Sequence, residues 1–157
     1  MKILILSKIA FDEAMVKHNI TIDNVETKID KFFISINDTS GTNAIPYFNS
    51  NKENVKVMFF DDVEKDTKIH LIIPNEDVIV KAFTTEQAKE LFNFIESNKD
   101  KDYCIIHCTA GVSRSGAVGT FIDRLFNKDS YEFENTNKYI LPNKHILKLL
   151  YEQSIRK

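Results

Sequence analysis

The segment Ile105-Ile106-His107-Cys108-Thr109-Ala110-Gly111-Val112-Ser113-Arg114-Ser115-Gly116 constrains this chain more than any other. Just before and within it, Tyr103–His107 is short and apolar and reads as a buried strand. From Ser115 onward the apolar pairs Ala117/Val118, Phe121/Ile122 and Leu125/Phe126 recur every four residues, which predicts a long helix. Between strand and helix lies a loop that begins with Cys108 and ends with Arg114. A loop that feeds a helix N-terminus gathers backbone N–H groups with no internal partners. Those groups and the helix dipole favour an oxyanion. Gly111 allows backbone angles that other residues resist. Thr109, Ala110, Gly111, Val112 and Ser113 are therefore expected to line an anion site with Arg114.

A thiol among those donors is stabilised as thiolate. Such cysteines fall from a pKa of about 8.5 to roughly 3.5–7.5, so Cys108 is expected to be a nucleophile at neutral pH. Arg114 offers a planar fork for two phosphoryl oxygens. Ser115 is placed to donate its hydroxyl to the thiolate and help it leave. His107 is expected to hold loop geometry through hydrogen bonds and not to act as a base. Cys104 reads as a small hydrophobe in the strand. Four residues along an extended strand separate it from Cys108 by about 13 Å, too far for a disulfide.

The rest of the chain alternates strands and helices. Lys2–Leu6, Lys31–Ile36 and Val55–Phe60 are short apolar or β-favouring runs and read as strands. Phe11–His18 reads as a short helix. Asp38–Ser50, with Gly41, Pro46 and several Asn and Ser, reads as loop. Ile69–Phe83 fits one or two strands around Pro74-Asn75. Thr84 with Gln87 forms a capping-box pattern, and Ala88, Leu91, Phe92 and Ile95 make one face of a helix ending near Asn98. Lys99–Asp102 is a turn. Ser130 caps a helix over Tyr131–Tyr139, and Lys144–Gln153 is a last amphipathic helix after Pro142-Asn143. The pattern predicts an α/β fold, a central, mainly parallel sheet flanked by helices. The 157 residues, 43% apolar and 28% charged, suit one domain spanning 1–157 with a core of its own.

His-Cys-x5-Arg-Ser resembles the signature of the protein tyrosine phosphatase superfamily. Thr-Ala-Gly-Val-Ser-Arg-Ser looks like its dual-specificity branch. Thr84–Asn98 resembles the helix before the catalytic strand. Ser130–Tyr139, Leu141-Pro142-Asn143 and His145–Tyr151 resemble the closing helices. The likeness covers roughly the last two-thirds of the chain, loosely outside the loop. It implies a phosphotyrosine-phosphatase-like fold and a two-step mechanism through a phosphocysteine, without metal or other cofactor. The substrate it implies is a phosphorylated protein or a small phosphate ester.

The resemblance also implies a general acid, an Asp that follows a strand upstream. Val57-Met58-Phe59-Phe60-Asp61-Asp62 has that form, and Asp62 stands where the pattern places the acid, with Asp61 as second choice. Asp62 lies 46 residues before Cys108, farther than the pattern implies. Either Lys65–Val80 holds an insertion, or Asp77, 31 residues before Cys108, is the acid.

The net charge of −2 gives nothing that favours nucleic acid or an anionic membrane. The longest apolar run at the start has four residues, short of the roughly 7–15 of a secretory signal or the about 20 of a membrane span. A cytoplasmic location is expected, with both cysteines reduced. His18, His70 and His145 lack metal-ligand spacing. Ser35-Ile36-Asn37-Asp38 follows a strand and approaches the loop, although turn chemistry alone explains Asn and Asp there. Three further readings stay open: a phospho-binding pseudophosphatase, a phosphatase for a non-protein ester, and a rhodanese-like sulfur carrier. The resemblance implies lysines inside the loop for members that act on phosphoinositides; this loop has none, which weakens a lipid substrate. Specificity is expected in Asp38–Ser50 and Lys65–Val80.

Overall fold

A computed structural model describes all 157 residues, Met1–Lys157. Four strands, β1 (Lys2–Ser7), β2 (Lys31–Asn37), β3 (Val55–Phe59) and the last strand of the chain, Tyr103–Cys108, form the central sheet. That last strand is β6, because a separate hairpin, β4 (Thr67–Leu71) and β5 (Glu76–Val80), precedes it. The sheet order is β1-β6-β2-β3, and all three pairings are parallel. Parallel neighbours need crossovers. Helices α1 (Lys8–Lys17), α2 (Thr85–Ser97), α3 (Arg114–Ile122), α4 (Tyr131–Thr136) and α5 (Lys144–Ile155) complete the chain. No helix is long and apolar enough to cross a membrane.

Both faces of the sheet are covered, which is why β2 is buried at every position from Phe32 to Asn37, Ser35 and Asn37 included. Phe32, Ile34 and Ile36 of β2 join Cys104, Ile106 and Cys108 of β6 in the larger core. There they pack with Leu91 and Ile95 of α2, Phe121 of α3 and Ile146 of α5. Phe33 points the other way, into a smaller core with Phe11 and Met15 of α1, Ile20, Val25 and Phe48. Cys104 is thus a core residue, and both cysteines are free thiols. The register pairs Ser7 with Cys108 and Ser35 with His107. The nucleophile candidate therefore sits on a middle strand at the carboxyl edge of the sheet, the edge where open α/β sheets bind ligands.

The elements differ from sequence expectation at three places. Helix α1 starts at Lys8, because Ser7 caps it by accepting the Ala10 amide at 3.2 Å. The long helix after Ser115 leaves α geometry at Ile122 and continues as a π turn over Asp123–Asn127. Helix α4 stops at Thr136, short of Tyr139. The cause is Asn137, whose amide group is diverted to edge strand β1: its Nδ2 donates to the Ile3 carbonyl and its Oδ1 accepts the Ile5 amide, each at 3.0 Å. The capping box of Thr84 and Gln87 forms with both bonds in place.

The ambiguous stretch after Phe60 is the β4–β5 hairpin, an antiparallel pair with Thr67 opposite Val80 and outside the central sheet. Its base is stitched shut. The Asp61 amide donates to the Lys81 carbonyl at 2.7 Å, and the Lys81 amide returns to Asp61 Oδ2 at 2.8 Å. Asp66 Oδ1 accepts the Ala82 amide at 2.9 Å. At its tip Ile72 and Ile73 are almost fully exposed.

Candidate active site

The loop from Cys108 to Arg114 is turned inside out relative to an ordinary turn. Its carbonyls face outward and are bonded by the surrounding backbone: Thr109 by the Lys8 amide, Val112 by the Leu141 amide, Ser113 by the Asn143 amide. The amides of Gly111, Val112 and Ser115 reach the thiol. The Gly111 amide donates to Cys108 Sγ at 3.3 Å. Those of Thr109, Ala110, Val112 and Ser113 meet no backbone carbonyl. Amides gathered at one sulfur, with further unpartnered amides in the same loop beside the N-terminus of α3, make an anion-binding concavity. Gly111 makes this possible. Its φ is +72°, and a Cβ there would lie 2.6 Å from Leu6 C and Ser7 N, both backbone atoms. Only glycine fits.

Cys108 is 2% exposed. Burial alone raises a thiol pKa. Here the Ser115 hydroxyl, the Ser115 and Val112 amides and the charge of Arg114 outweigh it, and the thiol is held below its ordinary value. The Ser115 Oγ lies 3.0 Å from the sulfur. Buried Cys104 has no such donors, and desolvation pushes its pKa well up. Two cysteines four residues apart on one strand are thus set to opposite chemistry by what surrounds them.

Arg114 is 6% exposed and fixed from behind. Its Nη1 donates to the Phe60 carbonyl at 2.8 Å and lies 2.8 Å from Asp38 Oδ1. Its Nη2 donates to Thr109 Oγ1 at 3.0 Å, and Thr109 Oγ1 in turn donates to Asp38 Oδ1 at 2.9 Å.

His107 points to the opposite face of the sheet. It stacks 4.4 Å from the Phe11 ring and shares a 2.7 Å hydrogen bond between Nε2 and Ser35 Oγ. Burial lowers its pKa to about 4, so it is neutral at physiological pH. Its Nδ1 lies 3.3 Å from the Cys108 carbonyl. Unfolded, the same imidazole titrates near 6.5. The unfolded chain then binds a proton that the fold refuses between pH 6.5 and 4. Stability should fall across that window by about 3 kcal/mol and level off below it. Denaturant midpoints at pH 7 and pH 4.5 check this, read against His107→Gln, in which that share of the slope should vanish.

The three acid candidates occupy different places. The Asp62 carboxylate is at the loop. Its Oδ1 accepts from Ser113 Oγ and from Asn143 Nδ2, each at 2.8 Å. Asp61 faces away and is 9% exposed. Burial raises its pKa, but the Thr39 hydroxyl and the Lys81 and Thr39 amides, with Arg114 beyond them, outweigh burial and hold it ionised. Asp77 lies on the hairpin, paired with His70 Nδ1 at 2.9 Å and Lys68 Nζ at 3.1 Å, and its carboxylate meets no atom of the loop. The β4–β5 hairpin, outside the central sheet, occupies most of Lys65–Val80, between Asp62 and the helix α2 that precedes β6.

Sequence reasoning brought Ser35–Asp38 near the loop, as the structure shows, but gave Asp38 no role beyond turn chemistry and did not single out the Phe60 carbonyl. A usable signal existed for Asp38: an acidic side chain directly after a parallel strand, at the carboxyl edge where such sheets bind ligands.

No family model and no curated protein matches the chain. Among solved structures, it is similar to Tk-PTP in the active form at 17% identity, covering 87% of this chain and 88% of that one with a TM-score of 0.47. It is also similar to the human tyrosine phosphatase-like serine/threonine/tyrosine-interacting protein, again at 17% identity, covering 85% and 82% with a TM-score of 0.45. Likeness this distant leaves function to be read from the side chains. They build a cradle of backbone amides around one buried, hydrogen-bonded thiol, backed by one arginine, with the Asp62 and Asp38 carboxylates at its two edges.

Proposed function

We infer that the chain hydrolyses phosphate monoesters through a covalent phosphocysteine, with phosphotyrosine in proteins as the first substrate class and phosphoserine or phosphothreonine as the second. The observation that carries this is the thiol: Cys108 sits among inward amides with Ser115 at 3.0 Å and Arg114 beside it. In the first step the Cys108 thiolate attacks phosphorus and the bond to the leaving oxygen breaks. Asp62 gives that oxygen a proton. The amides of Thr109 to Ser113 and the Arg114 guanidinium hold the equatorial oxygens as charge builds on them. In the second step the Asp62 carboxylate takes a proton from water, water oxygen bonds to phosphorus, and the S–P bond breaks. The Ser115 hydroxyl supports the departing thiolate, and inorganic phosphate leaves.

Purified protein given an aryl phosphate should turn it over with a bell-shaped rate between pH 5 and 8. A folded protein inactive across that range rules the reading out. A second reading, a phospho-binding module, is favoured by the two donors on Asp62 Oδ1, which engage the carboxylate with Ser113 and Asn143. It predicts a burst of one equivalent of alcohol followed by almost no turnover.

A further inference from the structure

We propose that Asp38 is a positioning residue for phosphoryl transfer, which orients the Arg114 guanidinium so that one edge alone faces the anion. This rests on the phosphatase reading above.

A guanidinium has five N–H donors in a rigid plane. The structure hydrogen-bonds two of them. One Nη1 proton goes to the Phe60 carbonyl at 2.8 Å, and Asp38 Oδ1 forms an ion pair 2.8 Å from the same nitrogen. One Nη2 proton goes to Thr109 Oγ1 at 3.0 Å. On the edge away from Nη1, Nε–H and the second Nη2–H meet no protein acceptor. These two lie side by side on the same edge and make the fork that grips two phosphoryl oxygens. Asp38 also accepts the Thr109 hydroxyl at 2.9 Å. Arg114, Asp38 and Thr109 therefore close a ring of three contacts, and the ring joins the arginine to the first residue of its own loop.

Asp38 is well placed for this duty. It immediately follows β2, the strand beside β6, and its amide is tied to the Asn43 carbonyl at 3.1 Å. Its neighbour Thr39 turns the other way, donating its amide to Asp61 Oδ1 at 3.0 Å and its hydroxyl to Asp61 Oδ2 at 2.5 Å. Two consecutive residues thus clamp the anion loop on one side and the carboxylate next to Asp62 on the other.

Two effects of the Asp38 charge oppose each other. A carboxylate near the cradle repels an incoming dianion. It also removes the rotameric freedom of a long side chain before substrate arrives, and a misplacement of about 1 Å in a catalytic group costs about 10²-fold in rate. Orientation wins here because Asp38 contacts the Nη1 side, away from the free edge, so its charge is screened from the substrate by the guanidinium itself.

Asp38→Ala should lower kcat/KM for an aryl phosphate by about 10- to 100-fold and weaken tungstate binding, measured by calorimetry, by about tenfold. Asp38→Asn keeps an oxygen acceptor and should fall between the two, and it gives the answer if the alanine variant does not fold. The decisive readout is a double-mutant cycle with Arg114→Lys. Lysine has no fork to orient, so Asp38→Ala should cost little in that background. Costs that simply add, or tungstate binding that is unchanged or tighter in Asp38→Ala, overturn the assignment. A wild-type protein that binds no tungstate would instead remove the phosphatase reading.

Discussion

Replacing Cys108 by serine should abolish turnover while leaving the protein able to bind an oxyanion. Loss of a nucleophile that works with its neighbours as one unit costs on the order of 10⁴-fold or more in kcat. The substitution changes one atom. Serine is ionised far less readily than a thiol, and the donors that hold Cys108 below its ordinary pKa cannot bring an alcohol to the same point. The cradle itself is untouched. The outward carbonyls of Thr109, Val112 and Ser113 stay bonded by Lys8, Leu141 and Asn143, so the amides keep facing inward. Tungstate affinity should equal or exceed that of wild type, since a negative sulfur no longer competes for the same donors. Turnover within about tenfold of wild type would mean another nucleophile. Lost tungstate binding in a folded variant would mean that the thiolate, not the loop, organises the site.

Asp62→Asn should cut kcat by about 10²- to 10⁴-fold for an alkyl or phenyl phosphate. It should do far less damage to an ester whose alcohol leaves readily, because such a leaving group does not need the proton. The alkaline limb of the pH profile should disappear along with it. Of the three candidates, Asp62 alone touches the loop, through Ser113 and Asn143. Asp61 is committed to Thr39 and Lys81, and Asp77 to His70 and Lys68. Asp77→Asn should therefore behave as wild type on every substrate. An Asp62→Asn enzyme with no dependence on the leaving group would strike Asp62 from the mechanism.

The part of the site carried by contiguous residues was legible in the sequence. Strand, thiol, glycine, arginine and serine lie within twelve positions, and the physics that joins them is local: a chain direction, a helix start, a residue free to take positive φ. The fold class was legible for a similar reason, since period-two and period-3.6 apolar patterns report which faces are buried. The strand order was not. β6 enters between β1 and β2, and that choice depends on which apolar faces meet in three dimensions. The supports of Arg114 were hidden for the same cause. Phe60 acts through its backbone carbonyl, which no residue type reveals, and Asp38 lies 76 positions away in sequence. Asn137 escaped notice too: its side chain ends α4 by bonding a strand from the opposite end of the chain.

The closed base of the β4–β5 hairpin has a consequence for modularity. Asp61 and Lys81 are bonded to each other, so the chain between them leaves the body and returns to nearly the same point. It adds contour length without adding displacement. Lengthening, shortening or replacing that excursion leaves the reach from Asp62 to the sulfur unchanged so long as the two ends still meet. The hairpin can therefore diverge, or be exchanged for another module, on its own timetable, while the chemistry beneath it stays fixed.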